Sequence, residues 1–345
     1  MSKEIFLSIV GLGIILLIIH SVKCRGGRRT ILFFAWGILY GIFKGNSMAF
    51  WKIVKFIFIG TSAVQKQPYF FTDPNILRIG DAPLVECLGW TFTFYLSWTF
   101  AEKVLSKTKK YKENVFAILF LSCLISSAIC YSIEPAGIIG GLWKWRRPLW
   151  LQTSPYIIGV PPHALKAWFF AACDMLFVFL IIEYSRIREK KWKYVFFPFF
   201  ALHQGFVGVY FITTPRKVQE LVVFIILLLL AFAGRLKYSK KCLIINNDYK
   251  NKIVGYFPEL ALILMLTVVF YIELIHRPSP YLIITSLPVI GVLLMGLHKK
   301  LIPAVFAASI MGIILGGKLM VPFAVIPFFS MIWLCVDYFH KADNG

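Results

Sequence analysis

Carboxyl groups set among apolar residues are the first chemistry this sequence offers. Glu86 stands between Val85 and Cys87, Glu134 precedes Pro135, and Asp174 lies inside a long apolar run. A carboxylate in hydrocarbon is costly and usually marks a working or paired group. Desolvation favours the neutral form of a carboxyl group, so a buried one can hand a proton to a substrate, while a second one steadies positive charge. Glu134, Asp174 and Glu86 are therefore the candidate catalytic acids, with Glu134 the first choice for proton donor. Asp81, Glu220 and Glu273 also fall near the ends of apolar runs, where a headgroup-level, solvated role explains Glu220 and Glu273.

The densest stretch runs from Tyr131 to Trp168. Pro135 is a poor continuation of a helix, so Glu134 is expected to end one. Gly137, Gly140 and Gly141 permit close backbone approach or positive φ. Trp143, Trp145 and Trp150 are mixed with Lys144, Arg146 and Arg147. Tryptophan at a membrane interface is ordinary, and the arginines suit lipid headgroups. Pro161-Pro162-His163 opens the next helix, since proline fits a first turn. His163 and Asp174 then share one helical face, about 16 Å apart at ~1.5 Å per residue. They line one surface without touching.

Other chemistries are poorly served. The six histidines are dispersed, with none at i, i+4 and no HExxH, so no metal site is expected. Gly11 and Gly13 sit in an apolar run without the strand–helix context of a nucleotide loop. The seven cysteines form no CxxC and no disulfide framework.

These residues need elements to position them, and composition decides which kind. Apolar residues make up 59% of the 345, charged residues 15%, and the mean hydropathy is +0.76. Too little polar surface remains to cover a soluble core. The expected fold is an all-α, polytopic integral membrane protein forming one domain over residues 1–345. Candidate spans are 4–22, 30–45, 82–101, 114–132, 163–184, 194–213, 218–235, 255–275, 281–297, 301–316 and 321–339, about eleven in a range of 9–12. The first is read as an uncleaved helix, because its basic cluster follows the apolar run. The apolar stretch 48–64 carries Lys52 and Lys55 and is read as interfacial.

The net charge of +21 comes from 37 Lys and Arg against 16 Asp and Glu. The connections 22–29, 103–112, 186–193 and 235–252 carry four, five, five and six Lys/Arg. The connections 65–80, 133–156, 214–217 and 276–280 carry two, three, two and one. That alternation is the positive-inside pattern, provided residues 30–64 cross once. It places the protein in the cell membrane with the amino terminus outside and the carboxyl terminus in the cytoplasm. The basic residues serve orientation and anionic lipid, so nucleic acid is not an expected partner.

The Tyr131–Trp168 segment resembles the core of the carotenoid biosynthesis membrane protein family, whose characterised members are CruF-type carotenoid hydratases. The family pattern is Glu-x-x-Gly-x-x-x-Gly, an aromatic stretch, Gly-Val-Pro, and a Trp seven residues beyond that Pro. Glu134, Gly137, Gly141, Gly159-Val160-Pro161 and Trp168 match without a gap, and Trp143 and Trp145 stand in the aromatic stretch. The family's Phe-Pro-Phe-Gly-x-Tyr-x-Tyr portion is replaced by Leu142-Trp-Lys-Trp-Arg-Arg147. The resemblance implies a lyase-class hydratase of carotenoid or isoprenoid metabolism. It would add water to a terminal C=C bond of an apolar polyene without a cofactor. Trp143, Trp145, His163, Trp168, Gly137 and Gly141 would then bind substrate, since aromatic faces stabilise cations. The same acids would also suit a proton-coupled transporter of a lipid-like or small solute. The absence of a visible internal repeat leans towards the enzyme.

Overall fold

A computed structural model describes residues 3–46, 69–73, 76–106, 114–145, 160, 162–184, 222, 225–227, 229–231, 254–276, 289–290 and 292–293. Six long helices dominate these residues: α1 Lys3–Arg25, α2 Gly27–Gly45, α3 Leu84–Ser106, α4 Val115–Ile139, α5 Pro162–Tyr184 and α6 Phe257–His276. Side chains are described from residue 11 in α1, over 167–180 in α5 and as far as Val269 in α6. All six coincide with spans expected from the sequence. The expected spans at 194–213, 301–316 and 321–339, and the interfacial stretch 48–64, lie outside the described residues.

Helix α4 is the centre. It packs against α3, α5 and α6, and α2 packs against α3 and touches α5 through Trp36, which donates to the Met175 carbonyl at 3.1 Å. Its residues from Val115 to Cys130 are all buried, among them Ile118, Leu119, Ile125 and Ile129. A helix apolar on every side belongs in a core or a bilayer. Val115–Ile138 is the one described helix long and apolar enough to cross a membrane, and Ala167–Leu180 and Val254–Val269 are apolar over shorter described lengths. The helix starts at Asn114, whose side chain accepts from the Phe116 and Ala117 amides at 3.0 and 3.2 Å and donates to the Ala231 carbonyl at 2.8 Å.

The α2–α3 contact is set by Gly37 and Gly41, and Gly45, four residues on, lies against Ala82 just before α3. A Cβ at Gly41 would stand 2.6 Å from the Cα of Cys87, and one at Gly37 would meet Thr91. Small residues at this spacing let two helix backbones approach closely.

Two features depart from the sequence reading. Glu134 does not end its helix, because α4 runs through Pro135 to Ile139. Proline so close to the end removes one hydrogen bond and is tolerated there. The connections expected as plain loops also hold two small antiparallel pairs. β1 Tyr69–Phe71 pairs with β4 Trp143–Trp145, Phe71 opposite Trp143 and Tyr69 opposite Trp145. β2 Arg78–Ile79 pairs with β3 Ala82–Pro83. Strands of two or three residues are too short to show an alternating pattern.

Candidate functional site: a carboxyl group ringed by indoles

The turn after α4 builds the site. The amides of Gly140, Gly141 and Leu142 bond back to the carbonyls of Ala136, Ile138 and Gly137 at 2.8, 3.1 and 2.8 Å. Gly141 takes φ 69°, a left-handed conformation that favours glycine. The chain therefore reverses into β4, and the Trp143 ring folds back over Gly137, where any Cβ would overlap it. Thr72 pins the turn through the Gly141 carbonyl. Gly137 and Gly141 thus shape the site, and the space beside Gly137 is taken by Trp143 rather than left for a substrate.

This reversal brings the indoles to Glu134. Trp143 Nε1 and Trp145 Nε1 donate to its Oε2 at 3.0 and 3.2 Å, and Trp168 Nε1 donates to Oε1 at 2.9 Å. Glu134 is buried, at 7% exposure. Indole N–H groups only donate, so both carboxyl oxygens serve as acceptors. The expected proton donor thus has both carboxyl oxygens held by indole N–H groups.

A second carboxyl group lies across a tryptophan stack. Trp168 stacks on Trp90 with ring centroids 4.3 Å apart and 14° between planes. Trp90 Nε1 donates to Glu86 Oε1 at 3.1 Å, and Glu86 feels the charges of Glu134 and Lys44. Glu86 sits in the first turn of α3 and is half-buried. The structure therefore joins Glu134, Glu86, Trp143, Trp145 and Trp168 in one cluster.

Asp174 belongs to a different contact. It lies six residues beyond Trp168, about 9 Å along α5 at ~1.5 Å per residue, on a different face. Its electrostatic partner is the buried Tyr40 of α2. The His163 side chain lies outside the described side chains. Among the described residues no group of His, Cys, Asp and Glu could hold a metal ion.

The sequence reading missed a second polar cluster at the opposite end of α3. Arg25 Nη2 donates to Glu102 Oε2 at 2.8 Å and to Thr99 Oγ1 at 3.1 Å. Its guanidinium lies 3.6 Å from the centroid of the Trp98 ring, and Trp98 Nε1 donates to Glu102 Oε1 at 2.8 Å. Arg25 Nε donates to the Tyr95 hydroxyl at 3.4 Å, and that hydroxyl is hydrogen-bonded to His20 Nδ1 at 2.8 Å. Lys103 pairs with Glu259 of α6 next door. The signal was a ladder on α3: Glu86, Trp90, Phe94, Trp98 and Glu102 recur every fourth residue, which aligns them along one helix ridge.

Comparison with known proteins adds nothing to this geometry. No family model, curated protein or solved structure matches the chain.

Proposed function

We propose that this protein is a multi-pass membrane enzyme of carotenoid or isoprenoid metabolism that adds water to a terminal C=C bond of an apolar polyene. The observation that carries the reading is the pair of carboxyl groups, Glu134 and Glu86, set in a tryptophan cluster at one end of an apolar helix bundle. Protonating an isolated alkene needs an acid near carbon and surroundings that tolerate a tertiary carbocation. Carboxylates and indole faces both provide the second.

Glu86 supplies the proton. It receives one described indole N–H and is half-buried near the end of α3, where water can restore its proton. The proton goes to the less substituted alkene carbon, and the π pair becomes the new C–H bond. The tertiary carbon carries the positive charge, and the Glu134 carboxylate stabilises it. Water adds to that carbon and returns a proton to Glu86. The net change is one water across one double bond, with no redox cofactor required. Of the positions that resemble the carotenoid hydratase core, Glu134, Gly137, Trp143, Trp145 and Trp168 meet here.

The membrane topology of about eleven spans, amino terminus outside, is part of the proposal. Exposed apolar side chains such as Ile15 on α1, Ile31 on α2 and Leu260 on α6 support a lipid surround. Asn46, at the end of α2, donates to the Ile79 carbonyl at 2.9 Å and accepts from the Asp81 amide at 2.8 Å. The chain thus leaves and re-enters the bundle at one end between 46 and 81, which supports a single crossing in 30–64.

The test is expression of the full chain in cells that accumulate an acyclic polyene with terminal isopropylidene groups. The reading predicts a product heavier by one water, lost in Glu86→Gln and retained in Asp81→Asn, an exposed control. Unchanged pigment with the parent protein sinks the hydratase reading.

A further inference from the structure

We infer that Trp90 is a positioning residue: through its stack on Trp168 and its N–H bond to Glu86 it fixes the two carboxyl groups relative to each other. The inference rests on the reading above for its effect on rate but not for its geometry. Glu86 and Glu134 belong to different helices, α3 and α4, and Trp168 to a third, α5. An unbroken path joins them, in which Glu86 accepts from Trp90, Trp90 lies flat on Trp168, and Trp168 donates to Glu134. Each link restricts a rotation. An N–H bond fixes the direction of a carboxyl group, and a 14° stack fixes one indole against another.

Trp90 is itself held from its own helix. Phe94, one turn on, meets its ring with centroids 5.4 Å apart. Phe94 also reaches Trp168 at 6.4 Å, edge to face. The same device recurs on α3, where Trp98 donates to Glu102, four residues away, at 2.8 Å. There the indole holds a carboxylate for Arg25. A Trp–Glu pair at this spacing is thus this helix's way of aiming a carboxyl group. At Trp90 it links Glu86, through the Trp168 stack, to the indole-ringed Glu134.

The test compares Trp90→Phe, which keeps a stacking ring and loses the N–H, with Trp90→Leu, which loses both. The full chain is purified in lipid nanodiscs. The carboxyl bands of Glu86 and Glu134 are read by infrared spectroscopy, after assignment with Glu86→Gln and Glu134→Gln. Trp90→Phe should shift the Glu86 band and leave the Glu134 band in place. Trp90→Leu should move both. On the hydration assay, kcat should fall about tenfold in Trp90→Phe and about a hundredfold in Trp90→Leu, with KM held, since one hydrogen bond accounts for roughly a factor of ten. If Trp90→Leu does not fold, Trp90→Phe alone must shift the Glu86 band. A Glu86 band unmoved by Trp90→Phe, or a Glu134 band unmoved by a folded Trp90→Leu, overturns the inference. Should the parent lack hydratase activity, the function fails and the bands still decide the role of Trp90.

Discussion

Near one end of α3, Trp90 donates to Glu86; near the other, Trp98 donates to Glu102. The two glutamates are 16 residues apart, about 24 Å at ~1.5 Å per residue. Their surroundings differ in one decisive respect. Glu102 is ion-paired with Arg25, which is also covered by Trp98 and bonded to Thr99 and Tyr95. Its charge is spent within the protein. Glu86 shares its site with a second carboxyl group, and the described donors to that group are three neutral indoles. A buried pair that neutralises itself ties helices together. The Glu134 carboxyl group, whose described donors are all neutral, keeps its capacity to meet positive charge.

If the arginine end is a structural tie, breaking it should give the largest loss of stability. Arg25→Ala leaves Glu102 buried at 5% exposure without its cation. The expected cost is about 3–5 kcal/mol, read by thermal unfolding in detergent. Adding Glu102→Leu to Arg25→Leu should recover most of that loss, because an apolar pair of similar bulk replaces the ion pair. A stable Arg25→Ala protein would erase the contrast between the ends.

At the tryptophan end, Gly137→Ala pushes a methyl group into the Trp143 ring. Overpacking of this kind costs about 1–3 kcal/mol. Trp143 must move away from Glu134, so product formation should fall further than stability alone explains. Normal activity at reduced stability would show that the Trp143 contact is dispensable.

Asp174→Asn should do least. The polar contact with Tyr40 changes, and we expect about 1 kcal/mol of destabilisation. Product formation per folded protein should stay within about twofold, because Asp174 lies outside the indole cluster. Loss of activity in a stable Asp174→Asn protein would return this residue to the site.

How far the sequence carried these assignments differs between the ends. The helices were legible because apolar runs of spanning length leave few alternatives. Glu134, Trp143, Trp145 and Trp168 were legible as a group through a short spacing pattern. Which way Glu134 faced was not. Pro135 suggested a helix end at the surface, whereas the left-handed Gly141 turn returns β4 over a buried carboxyl group. The arginine end went unread because Arg25 looks like one more basic residue after a span. Only the fourfold ladder on α3 pointed to Glu102. Pairing between residues 69–71 and 143–145 depends on contacts more than 70 residues apart in sequence, for which short strands carry no signal.

The measurement that bears most directly on the account sets Glu134→Gln beside Glu102→Gln, with product formation and folded yield read on both. Glutamine at 134 puts an amide donor against indole donors, which costs about 1–3 kcal/mol. The protein should still fold, and product per folded molecule should fall by about 10²–10³-fold, the cost of losing one preorganised charge stabiliser. Glu102→Gln should lower the folded yield through the lost Arg25 pair, while the surviving molecules keep nearly full activity. Normal turnover in Glu134→Gln, with turnover lost in folded Glu102→Gln, would place the chemistry at the arginine end and contradict the account.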